Sequence, residues 1–165
     1  MAKEVIVTAI LLIASIVAVV VFVDAIIPSV YDLSSSYSSL ADNMGDQFKT
    51  AIDIVFIHPD TTETAGNSVS VWIKNVGSTN IPLSKLRYSD MFLLSSSGCL
   101  NPGFESNTTP LWDYTVVNGK GGDTWNQGET IKATINFGST ALPSNTTQVT
   151  FFLYNGVSAS DKFST

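Results

Sequence analysis

At 165 residues and a formal net charge of −6, the chain has room for one compact domain plus an appendage. Its eight Lys and Arg residues are scattered singly among fourteen acidic ones, which excludes a nucleic-acid partner, because phosphate recognition needs clustered cations. The single cysteine, Cys99, excludes an intramolecular disulfide, so stability has to come from burial, and the thiol itself reads as a small buried hydrophobe.

The first element is the strongest signal. From Val5 to Val23 the sequence reads VIVTAILLIASIVAVVVFV without one charge. At 1.5 Å per residue, about 20 such residues cross the hydrocarbon core of a bilayer. Apolar side chains fill every side of this run, which predicts a spanning or wholly buried helix rather than one lying on a surface. Val23-Asp24-Ala25 loosely resembles a signal-peptidase site, but the apolar run exceeds the usual length of such a segment, and Glu4 offsets the only preceding cation, Lys3. Lys3 before the helix and Asp24, Asp32, Asp42 and Asp46 after it orient the N-terminus inside and the remainder outside. Ala14 and Ala18 form a small-residue pair on one helical face, a pattern that lets helices approach closely.

Pro28 would kink or interrupt a helix. Beyond it Leu33, Tyr37, Leu40, Met44 and Phe48 recur at helical spacing among Ser, Asp and Asn. Lys3 to about Thr50 therefore reads as one long helix bent near Pro28, a rod of roughly 70 Å. Residues 1–30 form its transmembrane or core part and 31–50 an amphipathic stalk. The stripe predicts packing against neighbouring copies.

From Ile52 the period changes to two. AIDIVFIH places Ile52, Ile54 and Phe56 on one face, and SVSVWIKN places Val69, Val71 and Ile73 opposite Ser70, Trp72 and Lys74. Pro59 to Asn67 is turn chemistry. Further strands are expected at 91–94, 111–117, 130–137 and 148–154, and Pro82 confines its own segment to an edge or a loop. Six or seven short strands over residues 51–165 predict an extracellular Ig-like β-sandwich behind the helix, an α + β chain overall.

No site for chemistry emerges. His58 is the only histidine, Cys99 lies far from it in sequence, and no phosphate loop, nucleophile elbow or calcium-loop spacing occurs. The sequence predicts no enzyme, cofactor, metal site or small-molecule substrate. Asn107-Thr-Thr and Asn145-Thr-Thr match the N-glycosylation pattern in expected loops.

An apolar helix near Met1, a Ser-rich stalk and a β-domain form a recognisable layout. Together with Ser70-Val-Trp-Ile-Lys-Asn-Val-Gly-Ser78, Ile81-Pro-Leu-Ser-Lys-Leu86 and Trp125-Asn-Gln-Gly-Glu-Thr130, it resembles the archaellum accessory proteins of the FlaG and FlaF type. The resemblance implies a mechanical role in archaeal motility. The helix would sit in the cell membrane, and the β-domain would form a homo-oligomer, meet a second archaellum accessory protein and contact the surface-layer protein as a stator. The alternative is a filament subunit, an archaellin or archaeal type IV pilin-like chain whose helices bundle into the fibre core. Precursors of that kind carry a basic leader, for which Met1–Glu4 leaves no room unless the chain is a mature form. A membrane-tethered adhesion protein is the third class.

Overall fold

A computed structural model describes residues 2–60, 67–96, 98–119, 121–142 and 146–164 of the chain. It divides into two compact units, Met1–Met44 and Gly45–Thr165.

Helix α1, Ala2–Lys49, is continuous and runs through Pro28. Proline lacks an N–H, so the carbonyl of Asp24, four residues earlier, loses its intrahelical donor there. Thr8 Oγ1 donates to the Glu4 carbonyl and Ser15 Oγ to that of Leu12, so the hydroxyls inside the apolar run are satisfied by the helix itself. Lower down, Ser35 and Ser36 both donate to the Asp32 carbonyl.

Eleven strands follow among the described residues: β1 Ile52–Asp60, β2 Asn67–Asn75, β3 Ile81–Pro82, β4 Asp90–Ser95, β5 Gly98–Leu100, β6 Gly103–Phe104, β7 Leu111–Val116, β8 Thr124–Trp125, β9 Thr130–Gly138, β10 Thr146–Phe152 and β11 Ser158–Ser164. One sheet has the order β1-β2-β9-β7-β6, a second β11-β10-β4-β5, and β3 pairs with β8 at the side. All ladders are antiparallel except β6 with β7.

The two larger sheets enclose one core, which is the β-sandwich read from the sequence. β9 shows the period of two most cleanly, with Ile131, Ala133, Ile135 and Phe137 all buried. Ile131, Ile135 and Phe137 each contribute about 2 kcal/mol on burial, and the Ala133 methyl about 1 kcal/mol or less. Trp112 on β7 meets Phe151 on β10 edge to face at 5.6 Å, joining the sheets through their largest rings.

Several expectations are corrected. Phe56 does not share the core face of Ile52 and Ile54. A bulge shifts the β1–β2 register between Ile54, opposite Ile73, and Phe56, opposite Trp72. One extra residue inverts the side-chain alternation, so Phe56 turns outward at 55% exposure and lies 5.2 Å from the Trp72 ring, while Ile57 packs against the core. The strand expected at 148–154 starts earlier and stops at Phe152, leaving Leu153 and Tyr154 in a turn. β11 has no counterpart in the sequence reading, because SASDKFS buries only Phe163 and shows no apolar alternation. Pro82 lies in a two-residue strand and leads into a 3-10 helix, Leu83–Tyr88. Cys99, expected inside, is exposed. It lies on β5, a three-residue edge strand whose residues are all exposed.

Candidate assembly surfaces

No residue of α1 is buried. Ala14 and Ala18 are exposed, and so are Leu33, Tyr37, Leu40, Met44 and Phe48, with Phe48 at 82%. Turning about 100° per residue, the spacing of this stripe extends backward through Val30, Ile26, Phe22 and Val19. Eight steps then cover the 29 residues from Val19 to Phe48, a mean step of about 3.6 residues, the repeat of a straight helix. Asp24, Asp32, Asp42 and Asp46 fall on the opposite half of the helix, so the apolar seam is free of charge along its length.

In the sandwich, sheet edges are the surfaces that take up partners. The edge strand β1 carries a bulge, Asp53, Pro59 and Asp60, and the edge strand β11 carries Asp161 and Lys162. These features discourage indiscriminate pairing. β5 has no charge and lies beside the exposed Leu94. On the outer face of the five-stranded sheet, Phe56, Trp72 and His58 form a ring cluster, and Lys132 Nζ sits 5.3 Å from the centre of the Trp72 ring.

Three motifs quoted from the sequence meet in space. Asn75 is fully buried, and its Nδ2 donates to the carbonyls of Thr79 (2.9 Å) and Trp125 (3.1 Å), while Oδ1 accepts from Gly77 N. Its backbone exchanges bonds with the second motif, Asn75 N to Glu129 O at 3.0 Å and Gly128 N to Asn75 O at 2.7 Å. Trp125 Nε1 donates to Glu129 O, and Asn126 N donates to the Glu129 carboxylate. Ile81 of the third motif pairs with Trp125. Gly128 takes a φ of 81°, the left-handed turn conformation glycine adopts without strain. The periodicity reading missed this knot. Its only sequence signal is polar residues, Asn75 and Glu129, next to strand ends.

Asn107 is exposed in the loop between β6 and β7, whereas Asn145 lies outside the described residues. Among the described residues no three His, Cys, Asp or Glu side chains form a group able to hold a metal ion.

Residues 2–163 match the family model for archaeal-type flagellin. The chain belongs to that family. An uncharacterized protein of Archaeoglobus fulgidus is 40% identical over 166 residues, covering 99% of either chain. Among solved structures, this flagellin-type chain is similar to the archaellum periplasmic stator protein FlaG from Sulfolobus acidocaldarius, with 23% identity and a TM-score of 0.56, over 69% of this chain and 99% of that one. It is also similar to the FlaF–FlaG stator complex of that organism, at 24% and 0.52, over 69% and 89%. The flagellin FlaB1 from Methanocaldococcus jannaschii matches at 14% and 0.56, over 70% and 90%. These structural likenesses establish a shared fold, and the FlaG and FlaF resemblance read from the motifs holds at that level. Members of such a family are structural components, and this flagellin-type chain is not an enzyme.

Proposed function

We propose that the chain is a membrane-anchored structural component of the archaeal motility machinery, placed as a stator. Residues 1–30 would span the cell membrane once with the N-terminus inside. Residues 31–50 would form the stalk, and residues 51–165 would stand outside, self-assembling and meeting a second accessory protein and the surface-layer protein. The observation that supports this reading is an apolar helix with no buried residue on a chain whose sandwich shares its fold with nearly the whole of the solved FlaG chain. Exposed apolar surface on this scale needs lipid or other helices around it.

A second reading, the filament subunit, draws on the flagellin family model and the fold likeness to FlaB1. In that reading the seam from Val19 to Phe48 packs against copies of itself in a fibre core.

Fractionating native cells after shearing off their filaments separates the two. The stator reading expects the chain in the membrane and envelope fraction, cross-linked to envelope proteins. Recovery as a main component of the sheared filaments would overturn it and establish the subunit. Intact-mass analysis of the same material tests Asn107 and Asn145 as glycan acceptors, each occupied site adding a discrete glycan mass.

A further inference from the structure

A helix ends with its last carbonyls unpaired. In α1 the cap comes from more than 25 residues downstream. Ser78 N and Thr79 N both donate to the Lys49 carbonyl, at 2.9 and 3.3 Å. Val76 N and Gly77 N both donate to the carbonyl of Ala51, each at 2.9 Å. Four successive amides of one turn thus close on the junction between helix and β1.

Gly77 is required there by space and not by backbone angle, since its φ lies outside the left-handed region. A Cβ at this position would stand 2.5 Å from Lys49 O and collide with Ala51 N as well, both backbone atoms that cannot turn aside. The turn is held in shape by the buried Asn75, which is locked in turn to the Trp125–Thr130 segment.

The same junction is also tied elsewhere. Gln47 Nε2 donates to the Asn155 carbonyl at 2.6 Å, and Asn155 Nδ2 donates to Thr50 Oγ1 at 3.2 Å, where Asn155 lies in the connection between β10 and β11. Thr50 is buried, and its hydroxyl donates back to the Asp46 carbonyl. All of these residues belong to the compact unit Gly45–Thr165.

We infer that the Asn75–Thr79 turn and its Trp125–Thr130 partner form a socket for the last turn of α1, making the junction at Lys49–Thr50 a rigid, force-transmitting joint. Without it, tension reaching residue 50 would enter the sandwich through β1 alone. That strand lies at a sheet edge, where its ladder can be peeled from β2 one bond pair after another. With the socket, the pull is shared among β1, the connection after β2 and the connection after β10, elements of both large sheets. The motifs around Asn75 and Trp125 then serve a mechanical joint. The inference rests on contacts inside the chain and is independent of whether the chain serves as stator or filament subunit.

Trypsin reports on the joint directly, because the Lys49–Thr50 bond lies inside the socket while the Lys49 side chain is exposed. The full chain in detergent micelles should resist cutting there. Gly77→Ala should speed that cut by about ten-fold or more, with cuts after Lys85 and Lys132 unchanged. Gln47→Ala, a change at an exposed side chain, should speed the same cut by about two- to five-fold. Should Gly77→Ala open every site together, the Gln47→Ala rate decides the matter. A Lys49 cut as fast in the wild type as in Gly77→Ala, or one untouched by Gln47→Ala, would overturn the joint.

Discussion

At the scale of single residues, Asn75 does the most with one side chain. Replacing it with alanine leaves the Thr79 and Trp125 carbonyls without their buried donor and frees the turn that Oδ1 holds. The expected loss is about 2–4 kcal/mol, read from denaturant unfolding by tryptophan fluorescence. A polar residue at a strand end is a weak sequence signal, because the same residue in an open turn would meet only water. Two tyrosines supply a second prediction. Burial raises the phenol pKa of Tyr154, with Asp46 adding to it, and burial together with Glu105 raises that of Tyr114. The folded state therefore keeps these protons more tightly than the unfolded chain, and the associated stability is present below about pH 10. It declines as pH rises through the higher folded values. Thermal melts from pH 9 to 11.5 should show that decline, and Tyr154→Phe should flatten it. A steeper fall in the variant would contradict the assignment.

At the scale of elements, the bulge in β1 makes two neighbouring apolar residues unequal. Ile54 is buried and Phe56 is not, although an uninterrupted period of two gives them the same face. Ile54→Ala should cost about 2–4 kcal/mol and Phe56→Ala about 1 kcal/mol or less, in the same unfolding assay. Equal losses would mean that the strand is unbulged in solution. Val69, Val71 and Ile73 were legible because nothing interrupts their alternation, whereas β11 was not, because it joins the sheet through backbone pairing to β10 with almost no apolar side chain of its own. The helix makes a separate prediction. Leu33, Tyr37 and Leu40 are exposed and lie outside the compact unit Gly45–Thr165, so polar substitutions there leave the sandwich's melting unchanged. If the seam packs against other copies, Leu40→Asn should weaken self-association in mild detergent by about ten-fold, measured by sedimentation. An unchanged oligomer distribution would assign the seam to lipid or to a different partner.

At the scale of the whole molecule, the division of labour is between an apolar helix that buries nothing within its own chain and a sandwich that completes its own core. A chain of this kind stays out of aqueous solution until lipid or neighbouring helices cover the helix. Extraction of the native protein should therefore require detergent, whereas cleavage of α1 ahead of Gly45, where the compact unit begins, should leave a soluble sandwich, and pelleting of that fragment with membranes would show a further membrane contact. The sequence by itself determined the long helix, the change to a two-residue period after it, the sandwich and the absence of any pattern for chemistry. Each of these is written in local periodicity or composition, which neighbouring residues express without reference to the rest of the fold. Tertiary structure alone decided which way Phe56 faces, that Cys99 lies on an open edge, that β11 completes the second sheet, and that motifs about fifty residues apart close into one knot at the end of a helix. Those features depend on register shifts, on backbone bonds that carry no residue signature, and on the space left between distant segments, as at Gly77, where only a missing Cβ lets the turn reach the carbonyls of Lys49 and Ala51.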